Sequence, residues 1–402
     1  MPERKGSGSM NHCDVALAAC SSYEDSAVQA ALCSVLDEID GLDFVRPGMM
    51  IAVKVNLVTA MKPDNAATVH PAVVCALVKL LRERGASVVI GDSPGGIYSA
   101  GYLRVVYDVC GMRQAEACGA KLNDDFSVTD AAYPEAAMAK QFPYTAYLAK
   151  ADAIIDLCKL KTHGMMGMSC AVKNFFGTIP GTIKPEFHYK YPRAEDFANA
   201  LVDIYEYSKP RLCICDAVVG MEGNGPTQGT PRQIGCLIAS KDGHRLDAVA
   251  AGLIGLRPQE IPTISAAIRR GLLPENPDEI TVSGDVSQFR VPDFRTVPAQ
   301  SSVFFHVLGE GVVGKLADLV VSRILTPFPK LDAAGCIGCG KCAQICPAKA
   351  VTMKNKKPSI NRKTCIHCFC CQEFCPKGAM KVGRTLIARI AGRDSREERN
   401  HA

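Results

Sequence analysis

The sequence predicts an α/β fold: a domain with a largely parallel sheet, followed by a small cysteine-rich module. Two observations carry this. Apolar runs of strand length alternate with amphipathic helical stretches over most of the first 330 residues, and eight of the 20 cysteines crowd into residues 336–375 in a repeated spacing. Alternation of that kind puts helices on the faces of a parallel sheet. A chain of 402 residues is long enough for a large core and more than one structural unit.

Residues 14–19 read as the first strand, and the next segment sets Val28, Leu32, Val35, Leu36 and Ile39 on one helical face. Residues 50–55 (MIAVKV) form a buried strand. The helix after it is opened by Pro71, closed by Gly85, and turns Val74, Leu77, Val78 and Leu81 inward. Residues 87–91 (SVVIG) are the next strand. Further strands fall at 153–157, 212–215, 235–239 and 303–307, with a helix over 245–254. Ligands of such sheets bind at the carboxyl ends of the strands, so the loops that follow them are where chemistry is expected.

The cysteines run Cys336, Cys339, Cys342, Cys346 before Pro347, and again Cys365, Cys368, Cys371, Cys375 before Pro376. In bacterial ferredoxins this spacing holds paired [4Fe-4S] clusters, the fourth cysteine of each run ligating the other cluster. The expected ligand sets are therefore Cys336, Cys339, Cys342 and Cys375 for one, and Cys365, Cys368, Cys371 and Cys346 for the other. Zinc sites and disulfide frameworks do not require three cysteines at this spacing followed by x3-Cys-Pro, twice. Gly338 and Gly340 allow tight turns around a cluster. Cys370 is left over as a free thiol. The expected organisation is an α/β domain over 1–330, with an amphipathic linker helix over 313–330. A bacterial-type two-cluster ferredoxin domain over 331–382 and a basic, flexible tail over 383–402 follow.

With 48% hydrophobic and 22% charged residues, the composition is that of a soluble globular protein. No apolar run has the length a bilayer or a leader requires, so no membrane and a cytoplasmic location are expected. The scattered thiols suit a reducing compartment. The formal charge is +5, and residues 331–382 hold nine Lys and Arg against two Asp and Glu. Such a basic module could dock an acidic electron donor such as a ferredoxin or flavodoxin, or its lysines could offset the negative charge of the clusters. Nucleic acid is not an expected partner.

The strand-end segments carry KVN (54–56), TVHP (68–71), GDSPGG (91–96), KLKTHG (159–164), AVKNFFG (171–177) and GMEGNGP (220–226). In this order they resemble the domain of unknown function 362 family, and the cysteine runs fit its iron–sulfur members. The resemblance spans roughly residues 12–382. It implies a cytoplasmic iron–sulfur protein of α/β fold and brings no assured reaction.

Residue chemistry extends the expectation. Lys159, Lys161, Lys173 and Lys184, with His163 and Asn174, suggest a positive, hydrogen-bonding pocket for a phosphate or carboxylate, or for a flavin. The plainer reading is solvated loop charges. Cofactor or ligand binding is expected of Lys159, Lys173, Asn174, Asn56, Asp92, Gly95, Gly96 and Asn224, and catalytic roles of His163, Glu222 and Lys161. His163 and His188 titrate near neutrality or serve as hydrogen-bonded structural groups. Asp92, Asp216 and Glu222 could be general bases, magnesium ligands or ion-pair partners. Cys213 and Cys215 share one face of a strand, which core packing explains. Gly309, Gly311 and Gly314 match a dinucleotide fingerprint, but the cysteine module follows too soon for a second strand. The expected function is a ferredoxin-coupled oxidoreductase acting on an anionic substrate or cofactor. The alternatives are a non-catalytic electron carrier or assembly partner, and a non-redox isomerase or ligase with structural clusters.

Overall fold

Strands buried on both faces need near-continuous apolar sequence, and that constraint orders the centre of this sheet. The computed structural model describes residues 13–297, 327–383 and 385. Its strands are, in order, β1 (Val15–Ala19), β2 (Met50–Val55), β3 (Ser87–Gly91), β4 (Lys121–Leu122), β5 (Val128–Ala132) and β6 (Gln141–Thr145). There follow β7 (Ala153–His163), β8 (Gly167–Ser169), β9 (Leu212–Glu222), β10 (Thr230–Ser240) and β11 (Val282–Ser283). The main sheet has the order β11-β1-β10-β9-β7-β2-β3-β4, with β8 added to β7. Pairing is parallel from β9 through β7, β2 and β3 to β4, and antiparallel where β10 meets β9 and β1.

Alternate residues of the central strands face two cores. Ile51, Val53, Ile155, Leu157 and Ile214 pack with the helices Asp25–Glu38 and Pro71–Glu83. Ala52, Ile154, Cys158 and Ile238 face the helices Ala194–Ser208, Gly243–Leu253 and Pro262–Arg269. The helix Pro71–Glu83 starts where His70 Nδ1 accepts the Ala72 N–H at 3.2 Å, with Pro71 at its first position.

Two strands run further than their apolar sequence suggests. The segment Lys159–His163 is the second half of β7 rather than a loop, and β9 continues to Glu222. Every residue of β7 is buried, its polar ones included. Buried polar groups are tolerated when hydrogen-bonded, and the partners here come from distant segments that local sequence does not announce. The strand expected at 303–307, the glycines at 309–314 and most of the linker helix at 313–330 lie outside the described residues. The end of that linker is not helical. Phe328–Leu331 is a strand, β12, so the C-terminal module begins at 328 instead of 331.

That module is built twice, at the offset that separates Cys336 from Cys365. The first half gives β12, the helix Lys341–Gln344 and β13 (Val351–Lys354). The second gives β14 (Lys357–Ile360), the helix Cys370–Glu373 and β15 (Met380–Gly383). β12 pairs with β15 and β13 with β14, so each two-stranded ribbon joins the first strand of one half to the second strand of the other. Backbone angles repeat as well: Gly338 and His367 have φ 73 and 56, and Gly340 and Phe369 have φ 77 and 61. Non-glycine residues in this left-handed region cost about 1–2 kcal/mol each. At Phe369 the ring offsets that cost by entering the core of the α/β domain, where it is 1% exposed. No helix of the described residues is long and apolar enough to cross a membrane.

Phe369→Ala is expected to cost about 3–5 kcal/mol, the usual range for a buried phenylalanine. Urea unfolding of the anaerobic protein measures this, with limited proteolysis reporting release of the module. Unchanged stability would show that the ring does not hold the two parts together.

Candidate functional site at the junction of the two modules

The carboxyl ends of β2, β3 and β7 converge on a buried polar network. Lys54 Nζ lies 2.8 Å from Asp92 Oδ1 and donates to Asn174 Oδ1 at 3.0 Å. Asn174 in turn donates to Asp156 Oδ1 at 2.6 Å, and Asn56 donates to Asn174 Oδ1 at 2.9 Å. Lys161 donates to Asn56 Oδ1 at 2.5 Å and to the Ala67 carbonyl at 2.6 Å. Lys184 donates to the Ser93 and Ile179 carbonyls at 2.5 and 2.6 Å. Lys159 pairs with Asp216 at 2.8 Å, an arrangement joined by the Tyr23 hydroxyl at 2.8 Å. Burial pushes Lys161 and Lys184 down to about 7, because neither has a carboxylate of its own.

At the end of β7, His163 Nδ1 accepts the N–H groups of Met165 and Met166, both at 3.2 Å. That fixes the ring proton on Nε2, which faces Glu373 Oε1 at 2.8 Å. Burial, reinforced by the charge of Lys173, lowers His163 to about 4, so the ring is neutral near pH 7. Burial works to raise Glu373, yet the close approach of His163 and the charge of Lys173 hold it down to about 2. Lys173 lies 5.7 Å from the centre of the Phe176 ring. The Glu373 side chain keeps 20% of its surface exposed and Lys173 is partly exposed, so the junction reaches solvent here.

The structure therefore brings Lys161, His163, Lys173, Asn174, Asn56 and Asp92 to one region, and sends the remaining candidates elsewhere. Glu222 is held by Arg295, whose Nε and backbone N–H donate to its two oxygens at 2.7 and 3.0 Å. Asn224 docks the C-terminal module instead of a cofactor. Its side-chain oxygen accepts the Val382 N–H at 3.2 Å, and its carbonyl accepts from Gln372 at 2.9 Å. Gly95 admits the Phe374 ring, which would stand 2.8 Å from an added Cβ, and Gly96 has φ 133 beside Tyr102. The glycine turn of GDSPGG thus seats a protein side chain. Lys159 serves Asp216 rather than a ligand.

Sequence reasoning missed Glu373, Gln372 and Phe374. Their one signal is composition: Glu373 is one of only two acids among residues 331–382.

In the C-terminal module Cys336, Cys339, Cys342 and Cys375 line one cavity with the backbone of Gly338 and Gly340. Cys365 has Cys368 and Cys346 as electrostatic neighbours, and Cys342 has Cys339 and Cys375, so the fourth cysteine of each run stands with the other run. The Ala350 N–H donates to Cys346 Sγ and the Ala379 N–H to Cys375 Sγ, each at 3.2 Å. Thiols gathered from both runs, with amides aimed at sulfur and left-handed turns between them, fit iron–sulfur ligation.

An α/β domain joined to such a module defines an iron–sulfur protein with a 4Fe-4S ferredoxin-type domain. The family described as Domain of unknown function (DUF362) matches residues 51–252, and the 4Fe-4S dicluster domain matches residues 328–376. The chain belongs to the domain of unknown function 362 family. A thylakoid-associated protein of Synechocystis sp. is 34% identical over 268 residues, 65% of this chain and 80% of that protein. The lactate racemase apoprotein of Thermoanaerobacterium thermosaccharolyticum aligns with TM-score 0.38 and 11% identity over 59% of this chain and 56% of its own. A protein from Thermotoga maritima aligns with TM-score 0.34 and 14% identity over 55% and 56%. The chain spans a little over half the length of these two structures.

Burial also lowers His188 to about 3, and its ring stacks on Phe197 at 4.2 Å. Between their ordinary value of 6.5 and these lowered ones, the unfolded chain takes up protons at His163 and His188 that the folded chain refuses. Stability is therefore lost as pH falls through that window. His188→Gln should reduce the loss between pH 7 and pH 5 by roughly 1–2 kcal/mol. Urea unfolding followed by circular dichroism reads the slope, and an unchanged slope would mean that His188 is not held neutral.

Proposed function

We propose that the protein is a ferredoxin-coupled oxidoreductase, with its reaction site at the junction of His163, Lys173 and Glu373. The observation that carries the reading is the 2.8 Å approach of Glu373, set between Cys371 and Cys375, to His163 at the end of β7. The second cysteine run thereby forms a wall of the lysine and histidine site. Two [4Fe-4S] clusters on the eight cysteines would supply low-potential one-electron transfer. The ligand is an anion, a carboxylate or phosphate in class, or a flavin bound through its phosphate.

The chain's own groups have distinct parts in this reading. The Glu373 carboxylate occupies the place where an anion meets Lys173 and the His163 Nε2–H, and an entering ligand displaces it. His163 holds a proton at Nε2 for the bound molecule. Lys161, brought to about 7 by burial, can exchange a proton near neutral pH. The first cysteine run faces outward: Cys339 is exposed and Ile337 is 61% exposed. Lys341 and Lys356 lie on that side of the repeat and suit an acidic ferredoxin or flavodoxin as donor. The scattered cysteines suit a reducing compartment, which supports a cytoplasmic reading.

One observation favours a second reading, a non-catalytic electron carrier. Lys54, Lys159, Lys161 and Lys184 all have internal partners, leaving Lys173 as the cation nearest solvent.

Anaerobically purified protein should contain about eight iron and eight sulfide per chain. Reduced ferredoxin or flavodoxin should bleach its visible absorbance at a rate that falls with ionic strength, and Lys341→Glu should slow it several-fold. Mass spectrometry should find an anionic small molecule retained by the wild type and lost from Lys173→Met. Conversion of that molecule at full rate by Cys339→Ser would remove the redox role and favour an isomerase or ligase with structural clusters. A donor-reducible protein that retains no anion would favour the carrier.

A further inference from the structure

Cys158, Cys170 and Cys215 lie outside both the junction and the cluster module. Their sulfurs all fall within 4.8 Å of one another. Cys158 Sγ stands 3.6 Å from Cys170 Sγ, and Cys170 Sγ stands 3.4 Å from Cys215 Sγ. Cys158 on β7 and Cys215 on β9 are register partners in adjacent parallel strands, and both face the same core. Cys170 comes to them from the end of the β7–β8 hairpin. Asp247 clamps that segment, its oxygens accepting the N–H groups of Ala171 at 2.7 Å and Val172 at 3.1 Å. All three thiols are at most 2% exposed.

Thiolates bound at about 2.3 Å to a single ion stand about 3.8–4.0 Å apart in tetrahedral or trigonal geometry. The Cys158–Cys170 and Cys170–Cys215 pairs need to open by only a few tenths of an ångström to reach this. A four-iron cluster places each cysteine on a separate iron, a wider set than these thiols form. No fourth His, Cys, Asp or Glu belongs to the group among the described residues. Zinc in a structural site takes four ligands, whereas soft thiolates select copper(I). Ordinary core cysteines explain Cys213, whose sulfur lies 3.5 Å from the Tyr205 hydroxyl. They do not explain three sulfurs converging from separate segments.

We propose that Cys158, Cys170 and Cys215 form a mononuclear three-sulfur site for a thiophilic monovalent cation, copper(I), distinct from the cluster cysteines. The ion takes three thiol sulfurs as ligands, and binding releases protons from those that are not already thiolates.

The test uses the full chain, purified anaerobically with its clusters and with iron and sulfide determined. Copper(I) is added in the presence of bathocuproine disulfonate, a competing chelator. The wild type should retain about one copper per chain, with its iron unchanged, and X-ray absorption at the copper edge should give three sulfurs at about 2.3 Å. Cys215→Ala and Cys170→Ser, made separately and matched to the wild type by circular dichroism, should each lower retained copper at least about tenfold at unchanged iron. The site is ruled out if both variants hold copper as the wild type does, or if uptake is matched by loss of iron. Nitrogen or oxygen bound to copper in the wild type would also rule it out, and that measurement needs no variant to fold.

Discussion

The 2.8 Å contact between Glu373 and the buried, neutral His163, beside the charge of Lys173, is the constraint on which the relation of the two modules depends. A neutral His163, a neutral His188 and Lys173 leave one unmatched cation at the end of β7. The surroundings of Lys173 work against its charge, which is favoured by a nearby carboxylate. The C-terminal module supplies it from a helix of one turn, Cys370–Glu373, whose conformation follows from the cysteine run around it. Folding of the cluster loop and completion of the α/β domain's charge balance are thus one event.

The pseudo-repeat makes the same point through its exceptions. Backbone, ribbons and amide-to-sulfur hydrogen bonds repeat across the two halves, while the side chains do not. Gly340 and Lys341 of the first half are Phe369 and Cys370 in the second, and Ile345 becomes Phe374. The substitutions are apolar where the second half meets the α/β domain. Phe369 enters its core and Phe374 lies against Gly95. A symmetric scaffold has been given one dry face and one wet, basic face, and this polarity distinguishes the two cysteine runs.

Much of this was legible in the sequence, and the reasons for the rest are physical. Strands β2 and β3 read cleanly because MIAVKV and SVVIG are apolar but for Lys54 and Ser87. β7 read as half its length because Lys159, Lys161 and His163 look like loop residues until their partners Asp216, Asn56 and Glu373 are in place. Those partners are 57, 105 and 210 residues away in sequence, the last being 373 less 163. Local periodicity carries no trace of contacts at that range. Glu222 illustrates the reverse case. It stands in a glycine-rich strand end that suggests chemistry, and a single distant arginine, Arg295, makes it structural. The cysteine runs were legible because spacing alone restricts the chemistry of their ligands.

The buried lysines also bear on how a ligand could be bound at all. Lys54 and Lys159 already have carboxylates, and Lys161 and Lys184 already have carbonyl oxygens. An anion arriving at these four would compete with partners held in position by the sheet, and would gain little over them. At Lys173 the neighbouring charge is Glu373, partly exposed and carried on a one-turn helix at the edge of the junction. Exchange of one carboxylate for another there leaves the local charge unchanged, so the desolvation already incurred by Lys173 and His163 is not repeated. Ligand entry is therefore least costly where the ferredoxin-type module meets the end of β7. Any molecule bound there touches the loop that carries Cys371 and Cys375.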